Sequence, residues 1–212
     1  MLILASASKA RQELLNKAGV NYKIMVSDIE ESDFDDSDIT LLVQKLSFAK
    51  AEKVLSRIIN QKSKNNAFDK AFAVLGCDSL FEFKGEIFGK PSSKEEAFDR
   101  WKRMSAEKGV IHTGHTLLFT RFPNEEYINS KSFKVIEGVV STSVYFEDLS
   151  DNEIINYVNT GESLKCAGGF AIDGKASIYI KKIEGCYSNV IGLSLPWLRN
   201  SMDKVFLSGK LS

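Results

Sequence analysis

Short apolar runs with strand character alternate along this chain with segments whose apolar residues recur at helical spacing. That alternation confines it to an α/β architecture with a mixed sheet. The pattern begins with an apolar run over residues 2–5, a turn Ser6-Ala7-Ser8, and a helical segment from Lys9 that stops at Gly19. Asn21 to Val26 predicts a second strand, which leads into a solvated loop carrying Asp28, Glu30, Glu31, Asp33, Asp35, Asp36 and Asp38 with no base among them. Leu42, Leu46, Ala49, Val54, Leu55 and Ile58 then predict one long amphipathic helix from Ile39 to Ile59.

The polar stretch Asn60 to Asn66 predicts a loop, followed by a buried strand, Ala71 to Gly76, bounded by Cys77-Asp78-Ser79. Phe81 to Phe88 predicts a hairpin turning at Lys84-Gly85. Ser93 with Glu96 has the spacing of a capping box, and Ala97, Trp101 and Met104 supply a helical stripe behind it. Gly109 to Arg121 and Val135 to Phe146 are expected strands, separated by a polar loop from Pro123 to Ser130. A second capping box, Ser150 to Glu153, opens a helix through Tyr157 that stops at Gly161. Ala167 to Tyr187 is glycine-rich and then β-like, and a last helix begins near Leu195. There are no internal repeats, and the length of 212 residues predicts one domain, 1–212, with two lobes.

Composition narrows the function. With 43% hydrophobic residues the chain can bury a full core without a disulfide or metal framework. Its 28 basic and 28 acidic residues cancel, so no global attraction toward nucleic acid or an anionic membrane is built in, and any phosphate binding must be local. Cys77, Cys166 and Cys186 match neither a zinc nor a redox spacing and are expected to be reduced. The N-terminus lacks a basic leader, and no apolar run is long enough to span a bilayer. A cytoplasmic location follows as an expectation.

Several residues could carry chemistry. The small hydroxyl turn Ser6-Ala7-Ser8 opening a helix presents free backbone N–H groups to an anion, with Arg11 one turn inside; the alternative is an ordinary capped helix. Asp78, read as ending an apolar strand, has the place of a metal ligand or proton acceptor, or of a turn residue starting the hairpin. Glu31 is one charge in an acidic loop. Lys50 lies on the same helical face as Leu46 and Val54 and must either snorkel, the commoner outcome, or meet an anion. Lys90, held by Pro91, is a point charge suited to phosphate or a surface residue. His112 and His115 lie three apart on an expected strand, face opposite sides and cannot pair on a metal.

Taken in order, these segments resemble the Maf family of nucleotide pyrophosphatases from Leu4 to about Leu198. The resemblance is carried by residues 4–15 (LASASKARQELL), Lys45 to Ala51, Gly76-Cys77-Asp78-Ser79 with Gly89-Lys90-Pro91, and His112 to His115. Further blocks are Cys166 to Gly174, Ile183 to Gly185, and Val190 to Pro196. The resemblance implies a mixed central sheet flanked by helices in two lobes with a cleft, related to the inosine triphosphatase type, and a homodimer. It implies hydrolysis of a nucleoside triphosphate to monophosphate and pyrophosphate; nucleic acid and membrane are not expected partners, on the neutral net charge and the lack of a bilayer-spanning run. Asp78 would be catalytic, with Lys50, Lys90 and Glu31; Glu31 and Asp78 would bind Mg²⁺ or Mn²⁺; and Ser8, Arg11, Ser79 and Asp173 would contact substrate.

Two departures bear on specificity. Lys9-Ala10-Arg11 stands where the commonest family form has Pro-Arg-Arg, and Asp173 stands where many members have Gln. The pyrimidine preference of the Pro-Arg-Arg type is therefore not carried over. A carboxylate at position 173 can accept from the N1–H and amino group of a guanine-type base. The rival from another class is a non-catalytic, nucleotide-binding regulator of septum formation.

Overall fold

The computed structural model describes residues 1–61, 73–120 and 133–207. The apolar runs form strands and the 3.6-period segments form helices, in the order β1 (Leu2–Leu4), α1 (Lys9–Lys17), β2 (Tyr22–Ile24), α2 (Ile39–Gln61), β3 (Ala73–Phe83) and β4 (Glu86–Phe88). There follow α3 (Lys94–Met104), β5 (Lys108–Phe119), β6 (Lys134–Phe146), α4 (Asp151–Asn159), β7 (Ile180–Glu184), α5 (Tyr187–Ile191) and α6 (Leu195–Leu207). Among the described residues the strands form one seven-stranded sheet in the order β2-β1-β3-β5-β6-β7, with β4 on β3. β1 pairs parallel with β2 and β3, in register Leu2↔Tyr22 and Leu2↔Ala73, whereas β3–β4 and β6–β7 are antiparallel. This is the mixed α/β sheet that the alternating pattern predicts. No helix of the described residues is long and apolar enough to cross a membrane.

The chain divides into two compact units. One comprises Met1–Asp78, Gly114–Val139 and Leu193–Ser212, the other Ser79–Thr113 and Val140–Gly192. In the first, Val54, Leu55 and Ile58 of α2 pack with Ile3 and Ala5 of the N-terminal strand and its turn, and with Val74 and Leu118. α2 lies tightly on the sheet because the facing strands carry glycine. A Cβ on Gly76 would sit 2.1 Å from the Ser47 carbonyl oxygen, and one on Gly114 would sit 2.1 Å from that of Val43. In the second unit, Trp101 is fully buried and packs its ring against Phe146, Tyr157 and Tyr179.

The sequence places most boundaries within a residue or two, and the differences have physical causes. β3 does not end at Gly76 but runs through Cys77-Asp78-Ser79 to Phe83, because the charge of Asp78 is matched inside the fold, as shown below. The hairpin turn falls at Lys84-Gly85, both with positive φ. Ser93 caps α3 by accepting from Glu96 N, but the reciprocal half of that capping box is not made. Glu96 turns its carboxylate to Ser92 N and Oγ instead, and to Arg100. The Ser150–Glu153 box is complete. Of the span from Ala167 to Tyr187 only Ile180–Glu184 is strand. The rest is short 3₁₀ turns, irregular backbone and the first residue of α5, and Gly168 and Gly169 in its glycine-rich part both take positive φ and break extended pairing there. The expected loops over 60–66 and 123–130 and the strand ends at Ala71, Phe72 and Arg121 lie wholly or partly outside the described residues.

The glycine contact between α2 and β3 yields a measurable expectation. Gly76→Ala should lower the unfolding free energy by about 1–3 kcal/mol through overpacking against Ser47 and Ala51. Denaturant titration would read this as a lower midpoint at constant slope. An unchanged midpoint would show that α2 shifts without strain.

Candidate catalytic site

Three side chains from three separate segments of the first unit converge. Lys50 projects from the α2 face that also carries Ser47 and Ala51, the face pressed on Gly76. Strand side chains alternate, so Asp78, two residues beyond Gly76, points to that same side. Lys50 Nζ lies 2.5 Å from Asp78 Oδ1 and 2.6 Å from Glu31 Oε1. Lys50 and Asp78 are 8% and 6% exposed, whereas the Glu31 side chain is 59% exposed and meets the pair from the solvent side. The lysine therefore does not snorkel, and Asp78 is not a turn residue. Both of those alternatives are corrected by one buried ion pair.

Glu31 is held in place by the way its acidic segment joins α2. It opens a 3₁₀ turn, Glu31–Asp33. Farther along, Asp38 Oδ1 accepts from Thr40 N at 2.8 Å at the start of α2, where free N–H groups favour a carboxylate. Asp36 pairs with Lys45 at 2.6 Å. Those contacts tie the segment to the first turns of the helix that carries Lys50. Of the two adjacent acids, Glu31 reaches Lys50, while Glu30 accepts from Ser32 Oγ at 2.9 Å.

The N-terminus of α1 belongs to the same unit. β1 and β3 are parallel, with Leu4 opposite Leu75 and Ala5 N donating to Leu75 O at 2.9 Å. Ser6 to Ser8 thus follow β1 at the strand ends where α/β sheets display ligand-contacting groups. Ser8 caps α1 by accepting from Arg11 N at 3.4 Å, and Arg11 Nη1 donates to Ser6 Oγ at 3.1 Å. Arg11 is only 8% exposed. Ser6 is the residue of this turn to which the sequence reading gave no role of its own; its hydroxyl accepts from both Ser8 N and Arg11.

Burial raises the pKa of Asp78 above the ordinary carboxylate value, and Glu31 adds to the rise, against the pull of the Lys50 and Arg11 charges. Burial likewise pushes the neighbouring Cys77 thiol up to about 11, so it is neutral and inert. The arrangement suits an anionic ligand, since a buried ammonium, a buried guanidinium and a helix N-terminus lie beside a carboxylate that can take a proton. Two carboxylates already converging on one cation are also a hard-oxygen donor pair. No cluster of three or more His, Cys, Asp or Glu that could hold a metal occurs among the described residues. A divalent ion would thus take two protein oxygens and fill its remaining positions from water or ligand oxygens, the habit of Mg²⁺.

The other expected residues belong to the second unit. Ser79 follows Asp78 in β3, and its Oγ lies 2.9 Å from Thr113 Oγ1. Lys90 is exposed just after β4, and Asp173 is exposed in the turn-rich segment between α4 and β7. Both act on Cys166: burial pushes that thiol up to about 11, with Glu162 and Asp173 raising it and Lys90 and Lys165 opposing. His112 contacts Ser141 and Glu82, and His115 accepts from Ser194 N, so the two histidines serve separate networks as their spacing predicts.

The sequence profile of the family described as Maf-like protein matches residues 1–205. A protein of Prochlorococcus marinus strain SARG named nucleoside triphosphate pyrophosphatase is 52% identical over 208 residues, covering 98% of this chain and 99% of its own. A protein of the same name from Prochlorococcus marinus strain NATL1A is 49% identical over 208 residues, covering 98% and 97%. Another from Parasynechococcus marenigrum strain WH8102 is 46% identical over 200 residues, covering 94% and 93%.

The raised pKa of Asp78 has a testable sign. A folded-state pKa above the unfolded value means that the group favours folding when protonated, and that this contribution is lost as pH rises through the folded pKa. Asp78→Asn imitates the protonated carboxyl. At neutral pH the variant is expected to unfold at a higher temperature than the wild type, and the difference should close as pH falls below the ordinary carboxylate range. A variant that melts well below the wild type at neutral pH would show that Lys50 outweighs burial.

Proposed function

The chain belongs to the Maf-like protein family, and on that premise we propose that it is a nucleoside triphosphate pyrophosphatase. Water attacks the α phosphorus, and a nucleoside monophosphate and pyrophosphate leave. The observation that carries the mechanism is the bridging of Glu31 and Asp78 by Lys50, at 2.6 and 2.5 Å. A triphosphate brings about four negative charges that must be neutralised before a nucleophile can approach phosphorus. Lys50 and Arg11 supply buried cations, the α1 N-terminus adds N–H donors, and Lys90 is the further cation of this reading.

As Lys50 turns toward phosphate, Asp78 loses a partner and becomes free to take the proton of the attacking water. Its raised pKa suits that task, because a base works best when its pKa lies close to the operating pH. Mg²⁺ or Mn²⁺ held by Glu31 and Asp78 would neutralise phosphate charge and acidify the attacking water. No side chain becomes covalently attached. Names that denote catalysis, borne by relatives about half identical over nearly the whole chain, favour this reading over a non-catalytic regulator of septum formation. The homodimer belongs to the same reading and rests on the family resemblance.

Base choice falls to Ser79 and Asp173. The exposed Asp173 carboxylate can accept from the N1–H and amino group of guanine or a methylated guanine, an edge that uracil does not offer.

Two experiments follow. Turnover of a panel of triphosphates in ¹⁸O-labelled water with Mg²⁺ is expected to release monophosphate and pyrophosphate, with the label in the monophosphate. Label in pyrophosphate would place attack on the β phosphorus, and no turnover would refute the proposal. Asp173→Asn is expected to change the ratio of GTP to UTP turnover by on the order of tenfold or more, since one of the oxygens reading the base becomes a donor. An unchanged ratio would remove Asp173 from base selection.

A further inference from the structure

Asp173 sits on a stretch with little strand or helix pairing of its own, between the 3₁₀ turns Ala167–Gly169 and Lys175–Tyr179. Side chains from outside the stretch hold it at both ends. At one end the Gly169 carbonyl accepts from Trp101 Nε1 at 2.9 Å and from Tyr157 Oη at 3.4 Å. At the other, a single carboxylate gathers the backbone. Glu162, just beyond α4, accepts from Lys175 N at 2.9 Å, from Ala176 N at 3.1 Å and from Tyr157 Oη at 3.0 Å. Gly174 lies directly over that carboxylate, where a Cβ would fall 2.4 Å from Glu162 Oε2.

We propose that Glu162 is a positioning residue for base selection: its carboxylate fixes the backbone from Gly174 to Ala176 and so sets where the adjacent Asp173 stands. This rests on the reading of Asp173 as the base-contacting acid. Hydrogen bonds to an ionised acceptor are about twice as strong as neutral ones, and here two backbone donors and a phenol share one acceptor group. A glutamine at 162 keeps one acceptor oxygen and aims an N–H₂ at a place where N–H and O–H donors converge, so the stretch loses its anchor on one side. Asp173 is then re-aimed by the shift of its neighbour. Hydrogen-bond readout weakens steeply with misalignment, so a small displacement is felt in selectivity before it is felt at phosphorus.

Steady-state kinetics on GTP and UTP for wild type, Glu162→Gln, Asp173→Asn and the double variant tests this. Glu162→Gln is expected to raise KM for the preferred triphosphate more than it lowers kcat, and to shift the GTP-to-UTP ratio of kcat/KM by about tenfold. The double variant should lose little more selectivity than Asp173→Asn alone, because the two residues act on one contact. Gly174→Ala, which presses on the same carboxylate without removing it, should move selectivity in the same direction, and it supplies the test if Glu162→Gln does not fold. An equal fall in kcat/KM for both triphosphates in Glu162→Gln, or selectivity losses that simply add in the double variant, would overturn the proposal while leaving the pyrophosphatase reading intact. Failure of the wild type to turn over any triphosphate would overturn both.

Discussion

The buried ammonium of Lys50 between two carboxylates is the interaction that sets the geometry of the first unit. An ammonium withdrawn from water carries a penalty of several kcal/mol, and it is retained only where its geometry and partners are good. Here the partners come from a β-strand and an acidic turn, at 2.5 and 2.6 Å. To reach the strand, α2 must lie closer than an ordinary side chain allows, which fixes glycine at position 76. To reach the turn, the acidic segment must be tied back on α2 through Asp36 and Asp38. The path of β3 through position 78 follows as well, because a paired aspartate gives the strand no reason to stop.

The same arrangement underlies the proposed chemistry. The carboxyl groups of Glu31 and Asp78 stand against the side chains of Lys50 and Arg11. An incoming polyphosphate competes with the carboxylates for the cations. Burial already weakens Asp78 as an acid, so displacing Lys50 from it exposes a base rather than an inert carboxylate. In the proposed reaction, stability and chemistry pull in opposite directions at this residue. Cys77, one residue away, is kept neutral by the same burial.

Much of the fold is legible in the sequence because hydrophobic period and capping residues are local signals. Ser8, Ser150 and the stripe Ala97, Trp101 and Met104 behave as their spacing predicts. What fails is what depends on distant partners. Nothing near Asp78 announces that Lys50, 28 residues earlier, will accompany it in a strand interior. Snorkelling is the sound default for a lysine between Leu46 and Val54 until that acid is known. Ser93 and Glu96 have the right spacing, but Ser92 and Arg100 compete for the carboxylate. Glu162 gives no sequence signal at all, since its partners are backbone N–H groups thirteen and fourteen residues on. The resemblance picks out Glu31, Lys50 and Asp78 together, and the geometry supplies the reason these three residue types belong to one site.

The most direct measurement is pyrophosphate release by wild type and Asp78→Asn under identical Mg²⁺ and nucleoside triphosphate, with folding of both checked by thermal unfolding. If the Glu31–Lys50–Asp78 cluster is the reaction centre, the folded variant loses turnover by roughly a factor of a thousand, the scale of a missing general base and metal ligand. A folded Asp78→Asn protein that releases pyrophosphate at the wild-type rate would place the chemistry elsewhere in the molecule.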